Sequence, residues 1–229
     1  MPTAIITGAS RGLGFALAET LADDGWRLVI DARGAPALNR AASRLRGRGA
    51  EVVALSGDVA DPWHRAGLSE LAGEPVDVLV NIASVLGPSP QPPLGAYPLD
   101  ALERVYSVNA IAPIALAQLV LPRMAVGARI VNITSDAGVE AYEGWGGYGS
   151  SKAALEQASA VLAAEHPELR VYAVDPGDMR TQMHQEAFPD EDISDRPPPE
   201  ESVPGMLALV QGELPSGRYR ARELVRTPA

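Results

Sequence analysis

The strongest constraint on the fold is an alternation between short runs rich in valine and isoleucine and longer segments with helical periodicity. The short runs have the length and composition of buried strands and lie at residues 3–7, 27–32, 51–55, 76–80, 128–133 and 170–174. Helical segments separate them and include residues 13–24, 36–46, 99–124 and 148–165. This order predicts an α/β protein in which helices cover both faces of a parallel sheet.

A parallel sheet covered on both faces is the doubly wound, Rossmann-type fold, which binds ligands at the carboxyl ends of its strands. With 229 residues, 46% of them apolar, the chain is long enough to bury one such core. We expect a single domain over residues 1–229, with a cofactor-binding part at about 1–135 and a catalytic and substrate-binding part at about 135–229.

Two proline-rich stretches interrupt the alternation, and both are predicted to be loops: residues 87–98 and 188–204. The second stretch is also rich in acidic residues. It is either a solvated linker or a lid over a substrate pocket, and both interpretations stay open.

Charge and composition argue against several classes of protein. The net charge of −10 would repel a phosphate backbone and no basic stripe is present, so we expect no binding to nucleic acid. Because cysteine is absent and His64, His166 and His184 are far apart, no metal site is predicted. The N-terminus lacks a secretory signal, which predicts a cytoplasmic protein. The apolar stretch at 111–121 is broken by a proline and a glutamine and is too short to span a membrane.

A glycine-rich turn lies between the first predicted strand and the first predicted helix. Glycines let the backbone turn tightly and approach a pyrophosphate, and the N-terminus of the next helix offers free N–H groups. A purely structural strand-to-helix turn is the alternative. If the turn binds a dinucleotide, its contact residues are Gly8, Ser10, Arg11, Gly12, Leu13 and Gly14.

The spacing of the turn, Thr-Gly-x-x-x-Gly-x-Gly, resembles that of the single-domain short-chain dehydrogenase/reductase family, and further motifs extend the resemblance from Thr7 to Thr181. These motifs are Asp58-Val59, Asn81-Ile82-Ala83-Ser84, Asn109, Ser135, Tyr148 with Lys152, and Pro176-Gly177 with Thr181. The resemblance implies an oxidoreductase that interconverts a carbonyl and an alcohol with a nicotinamide cofactor. Residues 216–220 only faintly resemble the last strand of the family.

Individual cofactor contacts are also implied by the resemblance. Asp58 and Val59 would contact the adenine, Asn81 and Ala83 would form part of the cofactor wall, and Pro176, Gly177 and Thr181 would lie beside the nicotinamide carboxamide. Ile82 and Ser84 depart from the family pattern, in which an asparagine and a glycine stand. We assign no role to Ile82, and Ser84 is expected either to narrow the pocket or to add a hydroxyl to it.

Tyr148 and Lys152 are four residues apart at the start of a predicted helix, so they share one helix face. A phenol is a poor proton carrier at neutral pH, but a nearby ammonium and an oxidised nicotinamide are expected to lower its pKa. Ser135 follows the fifth predicted strand and is expected to hold the substrate oxygen while Tyr148 supplies the proton. By resemblance, Lys152 also binds the nicotinamide ribose, and Asn109 orders a water that links the lysine to solvent.

Lys152 is the only lysine in the chain, and every other strongly basic residue is arginine. A guanidinium cannot replace a compact ammonium as a ribose ligand, so a single lysine at this position indicates a catalytic role. The alternative is an ordinary helix start with an amphipathic tyrosine and an exposed lysine.

The cofactor is expected to be NADP(H) rather than NAD(H), because Arg11 and Arg33 could bind a ribose 2′-phosphate. Asp31 complicates this prediction, since an acid near this strand end can bind the 2′-hydroxyl of NAD. The acid that selects NAD in the family aligns with Ala32, and strand alternation should turn Asp31 to the other side.

The helix after Tyr148 has apolar and small residues around much of its circumference, which predicts a homodimer or homotetramer. By resemblance, this helix and the one that contains Asn109 pair across a two-fold axis. A small-molecule carbonyl or alcohol is the expected substrate, and the candidate apolar wall residues of its pocket are Tyr142, Trp145, Met179, Met183 and Phe188.

Two alternatives to this enzyme remain. A catalytically silent cofactor-binding sensor or scaffold would keep the fold but would be free to lose Tyr148 or Lys152. A nucleotide-sugar epimerase or dehydratase of the longer family branch uses a different glycine spacing and a larger substrate domain, for which this chain has no room.

Overall fold

The computed structural model describes residues 1–224 and contains a parallel β-sheet with helices on both faces. Its strands are β1 (Thr3–Ile6), β2 (Arg27–Ala32), β3 (Val52–Ser56), β4 (Val76–Asn81), β5 (Met124–Ile133), β6 (Arg170–Asp175) and β7 (Gly217–Arg220). They lie side by side in the order β3-β2-β1-β4-β5-β6-β7, and all neighbouring pairs are parallel. The order reverses between β1 and β4, which is where a doubly wound sheet leaves a crevice for a ligand.

Helices connect the successive strands. They are α1 (Gly12–Asp23), α2 (Ala35–Gly47), α3 (Pro62–Ala72), α4 (Leu99–Tyr106), α5 (Ala112–Val120), α6 (Gly146–Glu165), α7 (Gln182–Ala187), α8 (Val203–Val210) and α9 (Ala221–Leu224). A π-helical turn, Ser107–Ile111, joins α4 to α5.

Two hydrophobic cores lie on opposite faces of the sheet because neighbouring strand residues point in opposite directions. Ile6 packs in the core that contains Leu17 of α1, and Ile5 packs in the core that contains Leu68 of α3 and Leu116 of α5. Both isoleucines are completely buried. A sheet covered on both faces explains why the strands read as continuous apolar runs in the sequence.

The predicted α/β fold is correct, but several boundaries differ. The single helix predicted at 99–124 is divided into α4, the π-helical turn and α5, and β5 begins at Met124 instead of residue 128 because Met124 still pairs with Val76 beyond a shift in register. The predicted loop at 188–204 overlaps the start of α8, which begins at Val203. The proline-rich sequence does not indicate this short helix, and Gly205 disfavours it. Pro204 is tolerated in the first turn, and burial of Met206 and Leu209 in the core stabilises the helix.

The helical run Leu99–Arg123 is long and apolar enough to cross a membrane by length and composition, with a mean hydropathy of 1.5 over its most apolar window. Half of that window is buried inside the protein, as is usual in a core helix. The criterion is therefore weak support for a membrane span. The sequence predicts no span because its apolar stretch at 111–121, taken alone, is too short to cross a membrane.

Candidate active site

A cleft of about 940 Å³ opens at the carboxyl ends of the strands, where the strand order reverses. The glycine turn after β1 forms one end, and the start of α6 together with the residue after β5 forms the other. Of the sequence-predicted cofactor and catalytic residues, all but Asn81 and Asn109 line this cleft. The fold therefore brings predicted site residues from Gly8 to Thr181 together in one cavity.

At Gly8 and Gly14 the glycine turn packs so closely against the backbone that a side chain would not fit. A Cβ on Gly14 would lie 2.6 Å from the carbonyl oxygen of Gly8, and Gly8 itself has a φ of +69° close to the backbone of Ala83. Arg11, the N-cap of α1, makes no side-chain hydrogen bond to the helix, so its first N–H groups face the cleft uncapped. A turn of this shape fits a pyrophosphate, which backbone N–H groups and the helix N-terminus would stabilise.

Asp31 supports the turn instead of facing a ligand. Its carboxylate accepts a hydrogen bond of 2.8 Å from the backbone N–H of Gly8 and one of 2.9 Å from Nε2 of His64. Because Asp31 is only 1% exposed and both oxygens are engaged, it is poorly placed to bind a ribose hydroxyl. The role of His64 could not be found from sequence, since it depends on α3 packing against β2.

Arg11 and Arg33 lie at the phosphate end of the cleft. Arg11 donates a hydrogen bond to the neutral side chain of Gln182, and Arg33 is exposed. Within residues 1–224, neither guanidinium has a carboxylate oxygen within 4.0 Å. Both positive charges are therefore available to an anionic ligand.

Asp58 and Val59 line the cleft beyond these arginines. Partial burial alone would raise the pKa of Asp58, but hydrogen bonds from the Ala60 N–H and from Arg104, together with the nearby charge of Arg33, hold it below its usual value. Asp58 is therefore a carboxylate at neutral pH and can accept hydrogen bonds. The partnership with Arg104 was not predicted, because Arg104 lies on α4, far from Asp58 in sequence.

Asn81 is not among the residues that line the cleft, and its contact with the cofactor stays a prediction. Its side-chain Nδ2 donates a hydrogen bond of 2.8 Å to Oδ1 of Asn132 on the neighbouring strand β5, and the residue is 4% exposed. The two residues differ because Asn81 is still part of β4 and pairs with Asn132 of β5, whereas Ala83 lies beyond the end of the strand and lines the cleft.

Lys152 is nearly completely buried, and its Nζ donates a hydrogen bond of 2.8 Å to the carbonyl oxygen of Ile133. Burial lowers the pKa of Lys152 to about 7, since an ammonium is poorly solvated there. The Nζ atom lies 5.5 Å from the centre of the Tyr148 ring. The two side chains thus share one face of α6, as their spacing predicts.

Tyr148 differs from the prediction in the direction of its pKa. Burial raises the pKa of its phenol well above the usual value, and the charges of Asp136 and Asp175 add to this effect. Hydrogen bonding with Ser84 and Ser135 acts in the opposite direction. In the protein by itself Tyr148 is therefore a neutral phenol with a proton to give, and Lys152 does not offset its burial.

Asn109 lies in the π-helical turn and is 1% exposed. Its Oδ1 accepts hydrogen bonds from the Ser84 hydroxyl at 3.0 Å and the Val85 N–H at 2.9 Å, while its Nδ2 donates to the Val85 carbonyl and to Ser151 Oγ. The amide thus connects the segment after β4 to α6. Since both side-chain atoms are engaged with the protein, the ordered water expected from the resemblance stays a prediction.

Ser84 adds a hydroxyl to the cleft, which was one of its two expected effects. That hydroxyl lies between Asn109, to which it donates, and the phenol of Tyr148, with which it interacts. The departure from the family pattern at this position was visible in the sequence. Its partners were not, because they come from the π-helical turn and from α6.

Ser135 is half-buried at the end of β5 and points its hydroxyl at the next residue. Its Oγ donates to Oδ1 of Asp136 at 2.8 Å and accepts a hydrogen bond from the Ala137 N–H at 3.2 Å. Oδ2 of Asp136 accepts a further hydrogen bond from Tyr142. No role is predicted for Asp136 from the sequence, although it directly follows a predicted catalytic residue.

The substrate end of the cleft is mainly apolar and aromatic. Three of the five predicted wall residues line it: Trp145, Met179 and Met183. Phe188 lies behind Trp145, with ring centres 5.8 Å apart, and Tyr142 is half-exposed beside Asp136.

The acidic stretch at 188–204 borders the cleft at two points. Pro199 and Glu200 belong to its wall, and the Arg180 N–H donates a hydrogen bond of 2.8 Å to the Pro197 carbonyl. This packing favours a cover over a free linker. Within residues 1–224, no group of three or more potential metal-ligating side chains is found.

Comparison with known proteins identifies the family. A family model for short chain dehydrogenases matches residues 2–192, so the chain belongs to the short chain dehydrogenase family. The chain is 34% identical to the 1-deoxy-11-beta-hydroxypentalenate dehydrogenase of Streptomyces avermitilis, over 79% of this chain and 70% of the relative. It is also 34% identical to the rhamnolipids biosynthesis 3-oxoacyl-acyl-carrier-protein reductase of Pseudomonas aeruginosa, over 79% of this chain and 73% of the relative.

Solved structures give the same result. A short chain dehydrogenase from Shigella flexneri in complex with NADP has a TM-score of 0.89 and 26% identity, over 96% of this chain and 97% of that one. One from Escherichia coli in complex with NADPH has a TM-score of 0.89 and 27% identity, over 96% of both chains. The predicted family, Rossmann-type fold and oxidoreductase class are thereby confirmed.

Proposed function

We propose that this protein is an NADP(H)-dependent oxidoreductase that interconverts a carbonyl and an alcohol, with Tyr148 as the general acid and base. The observation that carries the proposal is the meeting of Tyr148, Ser135 and Lys152 at one end of a cleft whose other end is the uncapped glycine turn. One sheet extends from β1 to β7 beneath the whole cleft, which supports a single domain.

The cofactor fits the cleft as a chain of separate contacts. The turn from Gly8 to Gly14 would bind the pyrophosphate through backbone N–H groups, and Asp58 and Val59 would contact the adenine. Pro176, Gly177 and Thr181 also line the cleft and would lie beside the nicotinamide. When bound, the reduced cofactor supplies the hydride that the carbonyl carbon accepts.

The protein's own residues then handle the proton. The hydroxyl of Ser135 would turn from Asp136 to donate its hydrogen bond to the substrate oxygen, and Tyr148 would donate its proton to that oxygen during reduction. Because burial raises the pKa of Tyr148, the phenol is in the protonated state that reduction needs. Lys152, with a pKa near 7 and a fixed position below the ring, would bind the ribose and exchange protons at neutral pH.

The preference for NADP(H) over NAD(H) is supported by charge at the phosphate end of the cleft. Arg11 and Arg33 have no carboxylate partner within residues 1–224, and Asp31 is engaged with Gly8 and His64. A 2′-phosphate would be stabilised by two guanidinium groups there, whereas a 2′-hydroxyl would find no free acid at Asp31. The two similar proteins solved with NADP and NADPH support the same preference.

A homo-oligomer is also part of the proposal. Ile111, Ile114 and Leu119, on the π-helical turn and α5, are 55%, 39% and 40% exposed, and Val161 on α6 is 45% exposed. These are the helices that pair across a two-fold axis in the proteins this chain resembles. Light scattering at micromolar concentration should give a dimeric or tetrameric mass, and a monomeric mass would contradict it. A cytoplasmic location stays a prediction of the sequence.

The proposed activity is tested by measuring two properties of the same purified protein. Binding of NADPH is followed by fluorescence titration, and turnover is followed by NADPH oxidation with a panel of ketones and aldehydes. Binding together with turnover supports the enzyme. Binding without turnover on any member of the panel would favour a silent sensor or scaffold, and absence of binding would contradict the cofactor assignment.

A further inference from the structure

Asp136 places a negative charge beside the position where the substrate oxygen would bind. Its Oδ1 lies 2.8 Å from Ser135 Oγ, and the residue lines the same cleft as Tyr148. A substrate oxygen bonded to Ser135 would lie roughly 2.7 Å from that hydroxyl, and therefore within about 5.5 Å of the carboxylate.

The charge of Asp136 is not neutralised by a close cation. Among residues 1–224, no arginine, lysine or histidine nitrogen lies within 4.0 Å of its carboxylate oxygens, which instead accept hydrogen bonds from Ser135, Ala137 and Tyr142. Three neutral donors stabilise a carboxylate without removing its field. Asp136 therefore acts on the cleft as a full negative charge.

The positive groups near this end of the cleft do not pair with Asp136. Arg218 reaches the Ser135 carbonyl at 3.3 Å, but it also bonds Glu156 at 3.1 Å and lies 3.7 Å from Asp175. Arg180 lines the cleft and donates to the backbone carbonyl of Ser194, and because it is exposed, water screens its charge. Lys152 also lines the cleft, and its Nζ donates to the Ile133 carbonyl. Among the charged side chains of residues 1–224, Asp136 is the one hydrogen-bonded to the Ser135 hydroxyl.

A second acid adds to the negative field at the substrate end. Asp178 lines the cleft, and its Oδ1 lies 3.8 Å from Nδ1 of His184, which is charged only when it is protonated. The side chain of Asp178 is 67% exposed, so water screens it more than it screens Asp136.

We infer that Asp136 is a specificity-determining residue. It restricts the substrate to carbonyl compounds whose carbonyl carbon is neither bonded directly to a carboxylate nor separated from one by a single carbon. This inference rests on the proposed function and narrows its substrate class. Two unit charges about 7 Å apart at a partly buried site repel strongly enough to lower kcat/KM by roughly 10- to 100-fold. Oxo esters and simple ketones would be accepted, and 2-oxo and 3-oxo acids would be rejected.

The test compares three esters with their acids: methyl pyruvate with pyruvate, methyl acetoacetate with acetoacetate, and methyl levulinate with levulinate. The ratio of kcat/KM for ester over acid is measured with NADPH in the native protein and in Asp136→Asn. Asparagine keeps Oδ1 as the acceptor for Ser135 and Ala137 while it removes the charge. We expect ratios above about 10 for the first two pairs, a smaller ratio for levulinate, and a fall of roughly 10-fold or more in the variant.

Two further variants test whether the effect comes from the charge of Asp136 itself or from any negative charge near the cleft. Glu140→Gln removes a nearby exposed carboxylate that does not line the cleft, and its ratios should equal the native ones. Asp178→Asn should lower the ratios less than Asp136→Asn does.

The outcomes are distinct from failure of the proposed function. Equal kcat/KM for ester and acid in the native protein, or a ratio that Asp136→Asn leaves unchanged, would overturn the inference. Turnover of other ketones but of none of the three esters would overturn it as well, because such esters belong to the class it admits. Absence of turnover with every carbonyl compound tested would instead count against the proposed function.

Discussion

The phosphate end of the cleft is made mostly of backbone groups from one turn, whereas the substrate end is made of side chains from four separate segments. At the first end, the turn from Gly8 to Gly14 lines the cleft, and Asp31 holds it by accepting hydrogen bonds from the N–H groups of Gly8 and Ala9. At the second, Ser84, Ser135 with Asp136, Tyr148 and Met179 line the cleft from four places in the chain.

This difference decides what each end tolerates. A binding site made of backbone groups requires glycines where a side chain would block the ligand. Its N–H groups do not titrate, so substitution of surrounding side chains changes their chemistry little. A site made of side chains depends on burial and on the charges that packing brings near it. The pKa values of Tyr148 and Lys152 follow those surroundings, and both depart from their usual values in the direction that burial dictates.

The largest expected effect is at the substrate end. Tyr148→Phe removes the proton donor and keeps the ring, so carbonyl reduction should fall by roughly 10²- to 10⁴-fold while NADPH affinity stays near the native value. Stopped-flow or steady-state NADPH oxidation measures the first quantity, and fluorescence titration measures the second.

Tyr219→Phe is the matched control, because Tyr219 lies on β7, does not line the cleft, and donates its phenol hydroxyl to the Pro215 carbonyl. It should leave turnover unchanged. Near-native turnover of Tyr148→Phe would show that the assigned proton donor is wrong, even with the cofactor site intact.

At the phosphate end, Gly14→Ala should weaken NADPH binding strongly. The added Cβ would meet the Gly8 carbonyl oxygen at 2.6 Å, so the turn must move, and overpacking of this kind costs about 1–3 kcal/mol. The dissociation constant for NADPH should rise by roughly 5- to 150-fold.

Gly47→Ala is the control for this variant, since nothing lies within 4 Å of the Cβ it adds. It should bind NADPH like the native protein. If Gly14→Ala bound NADPH normally, the glycine turn would not be the pyrophosphate site.

Arg33→Ala should change the choice of cofactor more than the overall activity. Loss of one charge-assisted hydrogen bond to a 2′-phosphate should lower kcat/KM for NADPH by roughly 10-fold and leave that for NADH almost unchanged. Arg40→Ala removes an exposed arginine of α2 that does not line the cleft, and it should alter neither value. An equal loss with both cofactors would contradict a 2′-phosphate contact.

The smallest expected effect is a shift in a pH profile. Hydrogen bonding with Ser84 lowers the pKa of Tyr148, so Ser84→Ala should raise that pKa. Alcohol oxidation needs the phenolate, so its half-maximal rate should move to higher pH.

Ser84→Thr keeps the hydroxyl and should restore the native profile. A variant that only disturbed packing would change kcat at every pH without moving the midpoint. Identical midpoints in the native protein and Ser84→Ala would exclude Ser84 from the network around the phenol.

Local patterns in the sequence determined much of this protein. Strand and helix periodicity is fixed by neighbouring residues, so the α/β order followed from composition over short windows, and the spacing of Tyr148 and Lys152 placed them on one helix face. The glycine spacing likewise indicated a turn without side chains before the first helix.

Tertiary structure decided the features that depend on contacts between residues far apart in the sequence. The interruption of the helix near Asn109, the formation of α8, the burial of Asn81 and the engagement of Asp31 by His64 all depend on contacts between distant segments. The same holds for the direction of the Tyr148 pKa and for the charge of Asp136 beside Ser135. Desolvation and electrostatic interactions act through space over several ångströms, and the sequence does not state which charges and which apolar walls the fold will bring to that distance.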